Sequence, residues 1–482
     1  MIRHRVSTIE LALIASLLVL VDAWQVSAAE VTMSGNVLPP AALGSITPTG
    51  SGRTNDPYTY AFSTTNGLDM GTHKIYGNNA SNKNVTLDLN GGSITATTPA
   101  ANASIDLKGT LANCYPAGIS IVHAGNIHLG RIWTASDRQW DTVGAAGSVA
   151  IGQDTDGQRV GKVEVSEILA YNRGVYDGNN AGSVMISSTN DVFVWDGAAA
   201  GDIDTSIASG YYDAGGMPGS VTVKHEGSFR VRTVKTTNGT RKFHSGRVVL
   251  NGDVMGNGTG GDCQIETLDT RNLGASYNKV AAGDVAVTGY ANVAVSNLLA
   301  CNEGTTDIQN GGVITIAASG NISIGSSGIC AYAKSTYSST GGVASLVCGG
   351  EISIGGGIDL NGATDGALSL VSSNGGITLA SLDLDRMSTA TLSSAQRCEV
   401  TGTVANFSTN YTSGAGSQSS PFVTTQTKLR LPAGQRLMYH ADVPGNAYLG
   451  GVAYRVASPA GVAGAGGVVM KYQSKGTVIT IK

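Results

Sequence analysis

Between residues 117 and 405 one short pattern recurs about ten times, and few folds can accommodate it. A small residue is followed, two and four positions later, by aliphatic residues. The copies start at Ala117, Gly147, Gly182, Gly219, Gly246, Gly283, Gly312, Gly342 and Gly366, with a degenerate last copy at Ser388. The copy at Gly312 carries Ile314 and Ile316. The longest steps between starts are Gly182 to Gly219 and Gly246 to Gly283, and the shortest are Gly342 to Gly366 and Gly366 to Ser388. A period of roughly 30 residues that drifts by whole loops marks a solenoid whose turns differ in loop length.

Each copy contains a second element with the same alternation, from Ile127/Leu129 and Val163/Val165 to Ile377/Leu379 and Cys398/Val400. In most copies a further apolar residue follows about five positions after the second element starts: Ile132, Ile168, Val234, Leu268, Leu298, Leu382. Alternation over three to five residues is too short for a useful helix and fits strands with one face turned inward. The expected fold is all-β: a right-handed parallel β-helix (β-solenoid) of about ten coils with a small C-terminal β module. Ten coils stacked at the parallel strand spacing give a rod on the order of 50 Å long.

Composition agrees. Gly accounts for 67 of 482 residues and charged residues for 13%, which suits strands joined by tight turns. The net charge of −4 favours neither nucleic acid nor an acidic tail. At the N-terminus, Arg3, His4 and Arg5 precede the apolar run Leu11 to Val21, and Val26-Ser27-Ala28 supplies small residues for cleavage. Residues 1–28 therefore read as a secretory signal, and the apolar run is short for a membrane span. Ser7-Thr8-Ile9-Glu10-Leu11 faintly resembles a type IV prepilin start, without the expected preceding Gly. Residues 29–116 form a β-rich segment, read as an irregular first turn or cap, because an open solenoid end exposes unpaired backbone.

Register assigns roles to single residues. Asn172, Asn238, Asn272, Asn302 and Asn361 each fall nine positions after a second element starts. Asn suits a turn there, and stacked copies could also bond along the axis. Cys263 and Cys398 occupy inward slots and read as buried hydrophobes. Cys301 and Cys330 fall at one repeat position in successive coils. Stacking would bring their Cα atoms to about 5 Å, within disulfide range, so a bridge and a reduced pair are both open. Long loops carry Tyr171, Tyr176, Asp177, Tyr211, Tyr212 and Asp213, the candidate contacts of a ligand-binding edge if all loops leave one side.

The pattern stops near Asn406. Residues 406–420 read as a linker and 421–482 as a basic β module. Lys428, Arg430, Arg436, Arg455, Lys471 and Lys475, with Lys482, oppose one acid, Asp442. That gives 7 − 1 = +6 for residues 406–482, and −4 − 6 = −10 for the rest. The six named cations form a candidate docking surface for an anionic partner or for the acidic body of another copy.

An enzyme on such a rod needs carboxylates converging on a strand face. Among outward positions of the first strands only Asp284 is acidic, and on the second strands only Glu164 and Glu399, far apart along the chain. The histidines show no metal spacing. Asp154-Thr155-Asp156-Gly157 resembles the start of a calcium loop, but Val165 stands where its final carboxylate belongs. No catalytic residue, cofactor or metal is expected.

The phrases Gly283-Asp284-Val285-Ala286-Val287, Gly320-Asn321-Ile322-Ser323-Ile324 and Leu268-Asp269-Thr270-Arg271-Asn272 resemble the coils of bacterial secreted β-helix proteins of the filamentous-haemagglutinin and autotransporter-passenger type. The resemblance covers residues 117–405. It implies a secreted, non-enzymatic structural or adhesive protein at the bacterial surface. Its partners would be copies of itself or cell-surface glycans, with no nucleic acid and at most peripheral membrane contact. The rival expectation is a polysaccharide-binding or polysaccharide-degrading β-helix acting through the Tyr/Asp loops.

Overall fold

In the computed structural model, residues 49–401 are described apart from short segments, mostly in loops; beyond them only strands at 404–405, 411–413, 423–424, 429–430, 437–439, 454–457 and 468–471 are described. The chain is a parallel β-solenoid. Thirteen strands, from Tyr58–Ala61 to Leu429–Arg430, form one parallel sheet in chain order. We call this the first face. Within each coil a second and then a third strand segment follow, forming the second and third faces; in some coils the two are one continuous strand, such as Val163–Leu169, and each segment pairs with its counterpart in the next coil. Val163–Val165, for instance, pairs with Val192–Val194, and Ile168–Leu169 with Ile203–Asp204. At the parallel spacing, twelve rises make a rod of about 60 Å.

All ten copies of the sequence pattern appear as first-face strands, and both aliphatic positions of each copy are buried, from Ile119 and Ile121 to Ala390 and Leu392. Cys263 and Cys398 fill inward slots with no exposed surface. Where the third apolar residue is missing five positions along, Ile203, Ile329 and Ile358 supply it after a longer corner.

The repeated small residue is explained by contact between coils. The N–H of Gly219 donates at 2.9 Å to the carbonyl of Thr205, just past the third strand of the preceding coil, which closes the turn. Gly147, Gly182, Gly246, Gly283, Gly312 and Gly342 make the same closure, at 2.7–3.0 Å. In that position a Cβ on Gly219 would lie 1.9 Å from the carbonyl oxygen of Gly182 in the coil below, and one on Gly283 would lie 1.9 Å from that of Gly246. Nothing larger fits without displacing backbone. Threonine hydroxyls complete the seam: Thr134, Thr205, Thr236 and Thr270 donate to the carbonyls of Gly147, Gly219, Gly246 and Gly283 at 2.6–2.9 Å.

Three expectations need correction. The solenoid does not start at Ala117, because Tyr58–Ala61 and Val85–Asp88 already belong to the first face. Their coils lack the small-residue signal, since Asp56 and Lys83 stand in that slot. Nor does the solenoid end at 405. Leu429–Arg430 pairs with Ala390–Thr391, and Leu437–Tyr439 pairs with Cys398–Val400, both in parallel. These strands cover an edge that would otherwise present unpaired backbone groups. The segment read as a linker holds the strand Tyr411–Ser413, antiparallel to Val423–Thr424; a second antiparallel pair joins Tyr454–Ala457 to Val468–Lys471. Finally, Asn361 lies off the asparagine ladder. Asn172, Asn238, Asn272 and Asn302 belong to one line of parallel bridges that also passes through Ile207 and Ala333. Asp359 pairs with Cys330, so Asn361 stands level with Tyr332, one residue short of that line.

One polar contact crosses three coils. His225 and Tyr290 are both buried, and the His225 Nε2 lies 2.9 Å from the Tyr290 phenol. Gly252 lies in the intervening coil; a Cβ there would sit 2.5 Å from the Tyr290 ring. Burial pulls the His225 pKa down to about 4.

Two outcomes follow from this packing. Gly219→Ala should lower unfolding free energy by at least about 2 kcal/mol, the scale of an overpacked core, as measured by urea denaturation; an unchanged midpoint would mean the seam can relax. His225 is neutral in both states above pH 6.5 and binds a proton first in the unfolded chain. Stability should therefore be full above pH 6.5 and fall by up to about 3 kcal/mol toward pH 4. His225→Gln should abolish that share of the decline in parallel denaturation series.

Candidate functional site

Every seam glycine closes its turn against the third strand, so the variable segments after the third strand all leave one corner of the coil. The ladder asparagines sit, fully buried, at their bases. Asn172 Oδ1 accepts the Gly174 N–H at 2.7 Å, while its amide donates across the loop to Asn180 at 3.0 Å and to Gly144 of the coil below at 3.3 Å. Asn302 repeats this with Gly304, Asn310 and Val280. The axial bonds therefore run from asparagine to backbone, not between asparagines.

The candidate contacts on these loops divide. Tyr176, Asp177, Tyr211, Tyr212 and Asp213 lie outside the described residues, as does the Asp154–Gly157 turn. Tyr171 is described and is buried. Its phenol donates to Asp137 Oδ1 at 2.7 Å, and the Arg173 guanidinium lies 4.9 Å from its ring centre. Burial first, and the Asp137 carboxylate second, push this phenol well above the usual range. Tyr171 is thus part of the wall, not a free contact. Of the tail cations, Arg430, Arg455 and Lys471 lie on described strands, while Lys428, Arg436 and Lys475 lie outside the described residues.

The Tyr171 arrangement recurs five coils along. The Tyr332 phenol donates to Glu303, and Lys334 Nζ lies 3.6 Å from the other Glu303 oxygen. Beside it, Cys301 and Cys330 form a disulfide with Cα atoms 5.5 Å apart. The two cysteines are not level, since Cys330 pairs with Leu299. Two extra residues at the Gly325–Gly328 corner shift the register, and the bridge runs diagonally.

Next to the disulfide the rod surface steps inward. The coils that start at Gly342 and Gly366 are the two shortest of the repeat, and nearly all of the loss comes from this corner. The loop after Tyr332 therefore overhangs its shorter successors. The step forms an open cleft of about 590 Å³, lined by Tyr332, Lys334, Ser335, Asp359, Asn361 and Arg386 with Gly362 and Ala363. Arg386 ends a 3-10 turn, Leu384–Arg386, capped by the Asp383 side chain. Its guanidinium reaches Asp359 at 3.2 Å and Asp383 at 3.6 Å. Burial and then Glu303 raise the Tyr332 phenol well above the usual range.

A further charged array lies on the third face, which carries more acids than the first two. Arg131–Glu167, Arg232–Asp202, Lys235–Asp204 and Arg271–Asp269 are paired at 2.5, 2.6, 3.9 and 2.8 Å. These residues were plain in the sequence, but the outward positions of the first and second strands alone pass over them. Glu167 and Asp202 occupy neighbouring strands, each with its own arginine. Among the described residues no cluster of three or more His, Cys, Asp or Glu is arranged to hold a metal ion, and no helix is long and apolar enough to cross a membrane.

Outside comparison adds nothing to these observations: no family model matches the chain, and no similar curated protein or solved structure was found.

The disulfide closes a 29-residue separation, worth about 3–4 kcal/mol on loop entropy alone. The Cys301→Ser/Cys330→Ser double variant should lose at least half of that in chemical denaturation. Equal stability with and without the bridge would reduce it to a bystander.

Proposed function

We infer that this chain is an exported structural or adhesive β-solenoid whose rods pack side by side. The observation that carries the reading is the outer surface of the first face toward its C-terminal end. Over four successive strands the paired outward positions read Val313, Val343, Ala367, Thr389; then Thr315, Ser345, Ser369, Thr391; then Ala317, Val347, Val371, Ser393. The grid holds no charge. Val313, Val343 and Val347 remain 39–44% exposed. Flat, uncharged, β-branched surface favours contact with a like surface and carries little chemistry of its own. The earlier part of this face is less available. Ser148, Ser183 and Ser220 each accept the backbone N–H of the next coil at 3.1–3.3 Å, so their hydroxyls serve the rod itself.

Export is supported by the N-terminal signal pattern, and a surface role by the coil resemblance to secreted adhesins. The +6 tail against a −10 body offers a second, electrostatic contact between copies. The glycan-binding alternative is favoured by one observation, the mixed polar cleft at Tyr332; the same coils give no separate support to cleavage.

The lateral contact has a direct test. Val343→Lys/Val347→Lys places two charges on exposed positions and should leave melting within a few degrees of the parent. Negative-stain microscopy should show bundles of the parent protein and separate rods of the variant. Bundles that persist in the variant, or a parent that stays as single rods, would remove this face from the assembly.

A further inference from the structure

We propose that the cleft between the Tyr332 loop and the two shorter coils beyond it binds a neutral oligosaccharide. This rests on the adhesive side of the reading above and names the site and the ligand class. The cleft draws side chains from three successive coils: Tyr332 and Lys334 from one, Asp359 and Asn361 from the next, and Arg386 from the third. Its volume of about 590 Å³ falls within the roughly 300–1,000 Å³ of ligand clefts and suits a short chain of sugar units.

The chemistry selects the class. Each cation already has a carboxylate within 4 Å: Lys334 has Glu303, and Arg386 has Asp359 and Asp383. The cleft therefore offers no unbalanced positive charge to a phosphate, sulfate or uronate. It does offer donors and acceptors side by side, from the Asn361 side-chain amide and the paired charges, which matches a ligand of vicinal hydroxyls. Tyr332 supplies an aromatic ring whose phenol is held by Glu303, so its orientation is set before a ligand arrives. The Cys301–Cys330 bridge ties down both neighbours of this wall, because Glu303 and Tyr332 each lie two residues from a bridged cysteine.

The test uses the full secreted chain on an array of neutral gluco-, galacto- and manno-oligosaccharides beside oligouronates and sulfated sugars. Saturable binding to at least one neutral series is expected. Asn361→Ala should weaken it at least tenfold. Ala363→Trp, at an exposed lining position, should block it without touching the core. Tyr332→Phe should bind more tightly than Tyr332→Ala. Circular dichroism melts verify folding of each variant. No binding to any neutral oligomer, a preference for uronates or sulfated sugars, or binding that survives Ala363→Trp would each overturn the proposal. Negative-stain images of the same samples separate the failures. Rods that bundle without binding sugar sink the cleft alone, and rods that do neither sink the structural reading with it.

Discussion

Everything in this rod depends on how closely one turn lies on the next at a single corner. The seam glycines close each coil through an N–H to the third-strand carbonyl, and their own carbonyls sit where the next glycine's Cβ would be. That contact fixes the coil's cross-section whatever the length of the loop beyond it. Loop insertions of several residues change the outer surface and leave the interior stack of Val, Ile and Leu untouched. The chain can thus vary the part that meets other molecules without retuning its core, which fits the modest entropic cost of lengthening a surface loop.

Polar residues serve this architecture more than they decorate it. Buried asparagines hold the loop bases, and threonines line the seam. At the start of the second strands, Asn126, Asp191, Ser228, Asn292 and Asn321 each accept an N–H from the following coil at 2.7–3.3 Å. Each such bond contributes about 1 kcal/mol, but the series is repeated along most of the rod. Paired charges on the third face are individually weak at an exposed surface. Their effect is to balance charge locally, which leaves the uncharged first-face grid and the cleft, whose cations are all paired, as the distinctive surfaces.

The strands were legible in the sequence because alternation is a local signal. Ile314 and Ile316, or Ile322 and Ile324, point inward whatever surrounds them. Register between coils was less legible, because it depends on corner lengths that side-chain pattern does not report. Two extra residues at Gly325–Gly328 were enough to place Cys330 beside Leu299, and one extra residue at Gly355–Gly357 carried Asn361 off its ladder. The cleft was harder still, since Tyr332, Asp359 and Arg386 belong to three different copies of the repeat and meet only after stacking. Its one sequence trace was the shortening of the repeat from Gly342 onward. Tyr171 was hard to read for the opposite reason: a tyrosine at the root of a polar loop looks free until the neighbouring coil supplies Asp137 to its phenol.

The acceptor ladder also gives the rod a direction. In each of these bonds the side chain belongs to the earlier coil and the amide to the later one. A completed coil therefore carries acceptors already aimed at the place where the next coil's amides will lie, while it makes no such demand on the coil after next. The rod therefore has a chemical polarity, and its two ends remain unlike however many turns separate them.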